Sequence, residues 1–286
     1  MARYFSSFFS LFLALFLLFL GPVPLLKASP SLEGLSRING LKIRLVPGQP
    51  EPISGLGTKT IEVSQDGPDI LVKWFSPARG QTINTPQAGS ARQAGSAPWP
   101  EYLVNLHRGA VHTNGLNEAT SLAHPHLWIE GVVQLDQNGL LWIPPKIVEE
   151  AGQKGVFSLE PGFLSLSFPL FKKGPPDLIE KIAEFRMAAS NASDPGFKKF
   201  LDEFSAVRVT DVAGRQTLVV NGEKTEVPVM KVGNKYVEYT VLAIASNPLV
   251  LEVAFRPSVA PKSLRSYIDF FHQYLEYKIT QVYTGN

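Results

Sequence analysis

The segment 206–256 is the part of this chain that most restricts its fold. It divides into short runs of alternating apolar and polar residues, separated by Asn221-Gly222 and Gly233-Asn234. Such pairs supply the positive backbone angles that tight hairpins need. The spacing predicts antiparallel strands over 206–212, 215–220, 223–231, 235–245 and 249–256. In the last of these, Leu249, Leu251, Val253 and Phe255 share one parity, while Glu252 and Arg256 take the other. That is the pattern of a sheet with one wet side. Pro228 has no N–H to give to a ladder, so it predicts an edge position or a bulge.

Helical signals flank this meander. Asp177 and Glu180 fit a capping box after Pro175-Pro176, and Leu178, Ile182, Phe185 and Ala189 then fall on one helical face. Asp194-Pro195 opens a second helix with the stripe Phe197, Phe200, Leu201 and Phe204. Leu264, Tyr267, Ile268, Phe271, Tyr274 and Leu275 trace a third. These stripes read as core-facing rather than lipid-facing. The expected fold is a β-rich α+β protein. A large curved antiparallel sheet, built as a meander, is packed on one face by helices at 177–189, 195–204 and 263–275. A last strand lies over 277–283.

The first half is less regular. Residues 29–58 read as an extended lead-in with one strand at 41–46. A β-rich part follows over 59–175, with a strand at 69–75 and a flexible loop at 76–100. The loop repeats Gln-Ala-Gly-Ser-Ala at 87–91 and 93–97, and small polar residues bury too little surface to offset their ordering entropy. Asp136-Gln137-Asn138-Gly139 predicts a hairpin between 126–135 and 140–143. Pro144-Pro145 then opens a short helix at 146–151, and 156–159 and 163–168 return to extended structure. Residues 176–286 hold the helical pair, the meander and the C-terminal helix and strand.

The segment 1–28 reads as an address. Arg3 precedes an uncharged run of Phe and Leu over 5–20, and small residues follow at Ala28 and Ser29, the parts of a secretory signal. Left uncleaved, the same run is a short membrane anchor. Of 27 basic groups, two lie in this segment and no acidic group does, so its removal leaves 25 basic against 25 acidic groups. A neutral chain has no overall field to attract nucleic acid. With no Cys, disulfides, thiolate zinc sites and cysteine nucleophiles are excluded. The expected location is the bacterial periplasm or cell envelope, or the inner membrane if the anchor is retained.

Two stretches carry resemblances. Leu135-Asp136-Gln137-Asn138-Gly139, Ile143-Pro144-Pro145-Lys146-Ile147, Gly152 and Gly155 make 131–162 resemble the swapped-hairpin DNA-binding module of bacterial transition-state regulators and antitoxins. Where that module usually carries Arg after the turn Gly, this chain has Leu140, and only Lys146 and Lys154 are basic. The resemblance therefore implies local structure and no phosphate footprint. In the C-terminal part, Val219-Val220-Asn221-Gly222, Val227-Pro228-Val229 and Ala245-Ser246-Asn247-Pro248-Leu249-Val250-Leu251 make 206–283 resemble uncharacterised bacterial envelope proteins with a lipoprotein-carrier-like sheet. That resemblance implies a curved sheet around an apolar face and brings no catalytic residue.

Chemistry-bearing residues concentrate in one place. His107, His112, His124 and His126 fall close together in the sequence. On a strand, His124 and His126 would point both rings to one face; imidazole suits zinc or copper, and Glu118 or Glu130 would complete a site. The opposing reading is that Pro125 bends the pair apart near a hairpin entrance. No nucleophile elbow, His-Glu-x-x-His or phosphate loop occurs. Trp74, Trp99, Trp128 and Trp142 suit a core or a ligand groove, and Trp128 with Trp142 reads as a core pair across the predicted hairpin. The expected function is a non-catalytic envelope protein that binds an apolar or amphiphilic ligand, or an envelope partner, on a curved sheet. A membrane-tethered assembly component and a metal-dependent enzyme using the His107–His126 region are the alternatives.

Overall fold

A computed structural model describes residues 30–48, 58–77, 106–128, 130–153, 155–160, 176–190, 195–262 and 264–285. The apolar run at 5–20, nearly all of the loop at 76–100 with Trp99, and the strand expected at 163–168 lie outside these residues. Among the described residues no helix is long and apolar enough to cross a membrane.

In chain order the elements are α1 (Pro30–Gly34), β1 (Lys42–Pro47), β2 (Lys59–Asp66), β3 (Asp69–Pro77), β4 (Leu106–Asn114), β5 (Gly131–Asp136), α2 (Pro145–Glu149) and β6 (Phe157–Ser158). They continue with α3 (Pro176–Ser190), α4 (Pro195–Ser205), β7 (Ala206–Val220), β8 (Glu223–Gly233), β9 (Val237–Leu242), β10 (Val250–Phe255), α5 (Arg265–Leu275) and β11 (Tyr277–Tyr283). The fold is α+β and dominated by strands. Eleven of them form one sheet in the order β5-β4-β3-β2-β1-β11-β10-β9-β8-β7-β6. The sheet is mixed: most pairs are antiparallel, but β4–β5 and β7–β11 are parallel.

The meander forms as its turn residues direct. Asn221 and Gly222 take φ values of 52° and 89°, the left-handed pair that closes a two-residue hairpin. The expected strands at 206–212 and 215–220 are one strand, β7, whose register slips against β8 between Val209 and Asp211 and again between Asp211 and Gly214. The second irregularity absorbs Val212 and Ala213 between the paired Asp211 and Gly214, so the strand continues without ending. β8 pairs with β9 only from Val229 onward. Pro228 therefore sits where that edge is free of the β9 ladder, and its missing N–H costs nothing there.

β11 joins the two halves. Along its length it pairs antiparallel with β1, from Lys42↔Tyr283 to Pro47↔Tyr277. It also meets β10 at Tyr277 and Lys278 and β7 at Gln281 and Val282. The pairings of β7, β8, β9, β10 and β11 consequently run in a cycle, which removes the open edges that two of these strands would otherwise present. The hairpin tip is fastened to this seam: Asn221 N–H donates to the Val282 carbonyl at 2.9 Å, and Thr284 N–H donates to Asn221 Oδ1 at 2.9 Å.

The helices meet the sheet through aromatic rings. Phe185 of α3 lies 5.2 Å from Phe271 of α5, Phe200 and Phe204 of α4 lie 5.3 Å apart, and Phe200 lies 4.9 Å from Tyr236. Phe255 of β10 contacts Phe204 and Phe271. These six rings contact one another edge to face, tilted or stacked, and Phe185, Phe200, Phe204 and Phe271 are fully buried. The helical stripes expected to face the core do so at Ile182, Phe185, Phe197, Phe200 and Phe204.

The hairpin expected across Asp136–Gly139 does not form. β5 pairs in parallel with β4, and Trp142 instead bridges to Leu249. The positive φ values fall on Gln137 and Leu140. Gly139 is required for closeness: a Cβ there would stand 2.0 Å from the Trp142 carbonyl oxygen. Asn138, buried, holds the bend by accepting from Leu140 N–H at 2.8 Å and donating to Ser121 Oγ at 2.9 Å. Trp128 and Trp142 are both core residues, each satisfied separately, by the Ala123 carbonyl and by Asn247 Oδ1.

Candidate functional site

β2 was not expected from the sequence, yet it carries the most unusual side chain in the fold. Strand alternation turns Lys59, Ile61 and Val63 inward and leaves Thr60 and Glu62 half-buried. Lys59 lies opposite Leu45 of β1, which is fully buried. A lysine thus occupies a position where its neighbours are apolar, and only 7% of it is exposed. Its ammonium sits 3.9 Å above the Trp74 ring centroid, a cation–π contact. Among the described residues no carboxylate pairs with it. Burial lowers the ammonium to about 8.

Trp74, on the buried parity of β3, is 2% exposed, and its indole Nε1–H has no hydrogen-bond acceptor among the described residues. A buried donor of this kind costs about 1–3 kcal/mol and calls for an explanation. The Lys59 ammonium thus lies over the face of an indole whose own N–H has no acceptor among the described residues.

The histidines border this site. Pro125–Leu127 forms a 3-10 turn rather than a strand, so proline breaks the expected alternation. Both rings are nevertheless buried, and they bind consecutive carbonyls at the end of α5. His124 Nδ1 is 3.1 Å from the Leu275 oxygen, and His126 Nε2 is 3.2 Å from the Glu276 oxygen. A carbonyl only accepts, so each of these nitrogens carries the proton. His126 is thereby the Nε2–H tautomer, with a buried, unpartnered lone pair on Nδ1. Burial, then the electrostatic influence of Lys59 and His124, lower His126 to about 3, against the opposing Glu276 carbonyl. It is a neutral ring.

Glu276 is the hub behind them. Its carboxylate Oε1 accepts from Phe255 N–H at 2.6 Å and from His272 Nδ1 at 2.7 Å. Its carbonyl also accepts from Gly48 N–H at 2.9 Å. A Cβ at Gly48 would lie 2.4 Å from Glu276 Cβ, so glycine is what lets the end of β1 approach.

His107 and His112 are elsewhere. Both lie on β4; His107 pairs with Glu130 at the surface, and His112 Nε2 is 3.7 Å from Asp69 Oδ2. Five positions along a strand separate them by roughly 17 Å. Among the described residues, no group of three or more His, Asp or Glu side chains is placed to hold a metal ion. Glu118 is exposed in its own 3-10 turn. The structure thus brings His124 and His126 together, separates them in role from His107 and His112, and adds Lys59, Trp74 and Glu276. The sequence signal for Lys59 was present: it shares the parity of Ile61 and Val63.

Replacing Lys59 by methionine is expected to stabilise the fold at pH 7 by about 3 kcal/mol, since the buried ammonium titrates well below its unfolded value. Between pH 8 and 10.5 the unfolded chain binds a proton that the folded chain does not. The parent's stability therefore rises with pH across that window and approaches the variant's. Urea unfolding at pH 7 and at pH 10.5 measures both; equal gaps at the two pH values would contradict the assignment.

No protein-family model, curated protein or solved structure matches this chain.

Proposed function

We propose that this chain is an exported, non-catalytic protein of a bacterial cell envelope that binds an amphiphilic ligand. The observation that carries the reading is Lys59: a lysine at an inward position of a sheet, beside an indole, with neither a counter-ion for the ammonium nor an acceptor for the indole N–H among the described residues. Buried charge is costly unless it is matched, and perturbed groups of this sort concentrate at functional sites. The N-terminal run supports export, and the cyclic pairing of β7 to β11 supports a curved layer of the kind the C-terminal resemblance implies. Contacting aromatic rings lie between the helices and the sheet, and we assign the ligand to the neighbourhood of Lys59.

Native mass spectrometry of the protein purified from its own host tests this. The expected result is a polypeptide that begins near Ser29 and carries a non-covalent mass of a few hundred daltons, on the order of one amphiphile. Full-length chain in the membrane fraction would favour the tethered alternative. Ligand-free protein in the cell interior would overturn the proposal.

A further inference from the structure

We infer that Lys59 and Trp74 form a receptor for the carboxylate head of the bound amphiphile. This rests on the binding reading above and adds the chemistry of the head group. The ammonium offers one positive charge, and the indole offers one N–H donor that nothing in the fold satisfies. A carboxylate has one negative charge and two oxygens, so it can accept from both groups at once and neutralise the charge without surplus. A phosphate monoester brings nearly two charges and three oxygens at neutral pH, and among the described residues no second cation contacts the Trp74 ring. His126 is kept neutral by burial while its Nε2–H donates to the Glu276 carbonyl, and the carboxylate of Glu276 is engaged by Phe255 N–H and His272. Neither residue competes for the ammonium.

The surroundings give the tail its partner. Leu45 lies across the ladder from Lys59 and Ile61 across from Trp74, and these and Val72, which shares the parity of Trp74, are fully buried apolar residues. An apolar chain attached to the carboxylate gains about 0.8 kcal/mol for each methylene removed from water. Head and tail are therefore both needed for affinity, and a short acid should bind far more weakly than a long one.

The test is a titration of the full chain, with 15N-labelled tryptophan, by sodium octanoate, sodium acetate and octan-1-ol. The chain has four Trp, so each indole N–H gives one signal, and Trp74→Phe assigns the one of interest. Octanoate is expected to move the Trp74 N–H signal downfield in a saturable way. Lys59→Met is expected to weaken that binding about tenfold or more, while its remaining indole signals stay dispersed as in a folded chain. Acetate that saturates at the same concentration as octanoate would show a plain anion site and overturn the amphiphile assignment. Octanol that matches octanoate would overturn the role of the charge. An octanoate response that survives Lys59→Met, or no response to octanoate at all, would overturn the inference. If octanoate is silent while the host-purified protein carries another ligand, the head-group assignment fails and the binding reading stands; if neither is seen, both fail.

Discussion

Between pH 7 and pH 3 the folded chain is expected to lose roughly 5 kcal/mol more stability than its His126→Gln variant. Burial, reinforced by the positive Lys59, lowers the His126 ring to about 3 in the folded state. The unfolded chain keeps an ordinary imidazole near 6.5. Below that value the unfolded chain takes up a proton that the folded chain refuses, so unfolding is driven increasingly as pH falls through this window. Above pH 7 neither state holds the proton and the residue adds no pH dependence. Glutamine can still donate to the Glu276 carbonyl, which isolates the titration from the loss of a hydrogen bond. Urea melts of both proteins at half-unit steps of pH measure the difference. Parallel profiles would show that acid sensitivity comes from other groups, such as the paired carboxylates.

Asn247→Ala is expected to cost about 4 kcal/mol at neutral pH, because it strands two buried groups together. Asn247 is fully buried between β9 and β10. Its Oδ1 accepts from Trp142 Nε1 at 2.7 Å, and its Nδ2 donates to the Leu35 carbonyl at 2.7 Å. One amide thus ties the segment after α1, the bend before α2 and the β9–β10 connection. Asn247→Asp keeps the acceptor for Trp142 but turns a carboxylate toward the Leu35 oxygen. It should be as destabilising at pH 7 and partly recover in acid. Denaturant midpoints with an unchanged slope would confirm a loss of stability within the same fold; a loss under 1 kcal/mol for Asn247→Ala would contradict the bridge.

The elements legible in the sequence are those whose signals are local. Asn221-Gly222 dictates its turn by backbone angle alone. The Phe197, Phe200 and Phe204 stripe needs only helical periodicity. Asp69–Pro77 and Lys42–Pro47 follow from alternation. What escaped is set by distant partners. β5 pairs in parallel with β4 and Trp142 bridges to Leu249 in place of the hairpin, and contacts of that span leave no trace in spacing. β7 reads as two strands because a slip in register resembles a turn. β2 begins with a lysine, and a charge at an inward position disguises the strand that carries it. The histidines illustrate the same limit. Their clustering suggested a shared ligand, yet the groups that bind His124 and His126 are carbonyls 151 and 150 positions away.

β11 has a consequence for how the molecule is assembled in time. Its seven residues border β1, β10 and β7 at once, and Thr280 meets Arg44 across 236 positions of chain. Until that segment arrives, β1 lacks one neighbour and the cycle of strands stays open. Wiring of such long span slows folding, because loop entropy is lost before the reward comes. The cycle of strands is accordingly among the last parts of the fold to close, since its closing segment is the last strand of the chain.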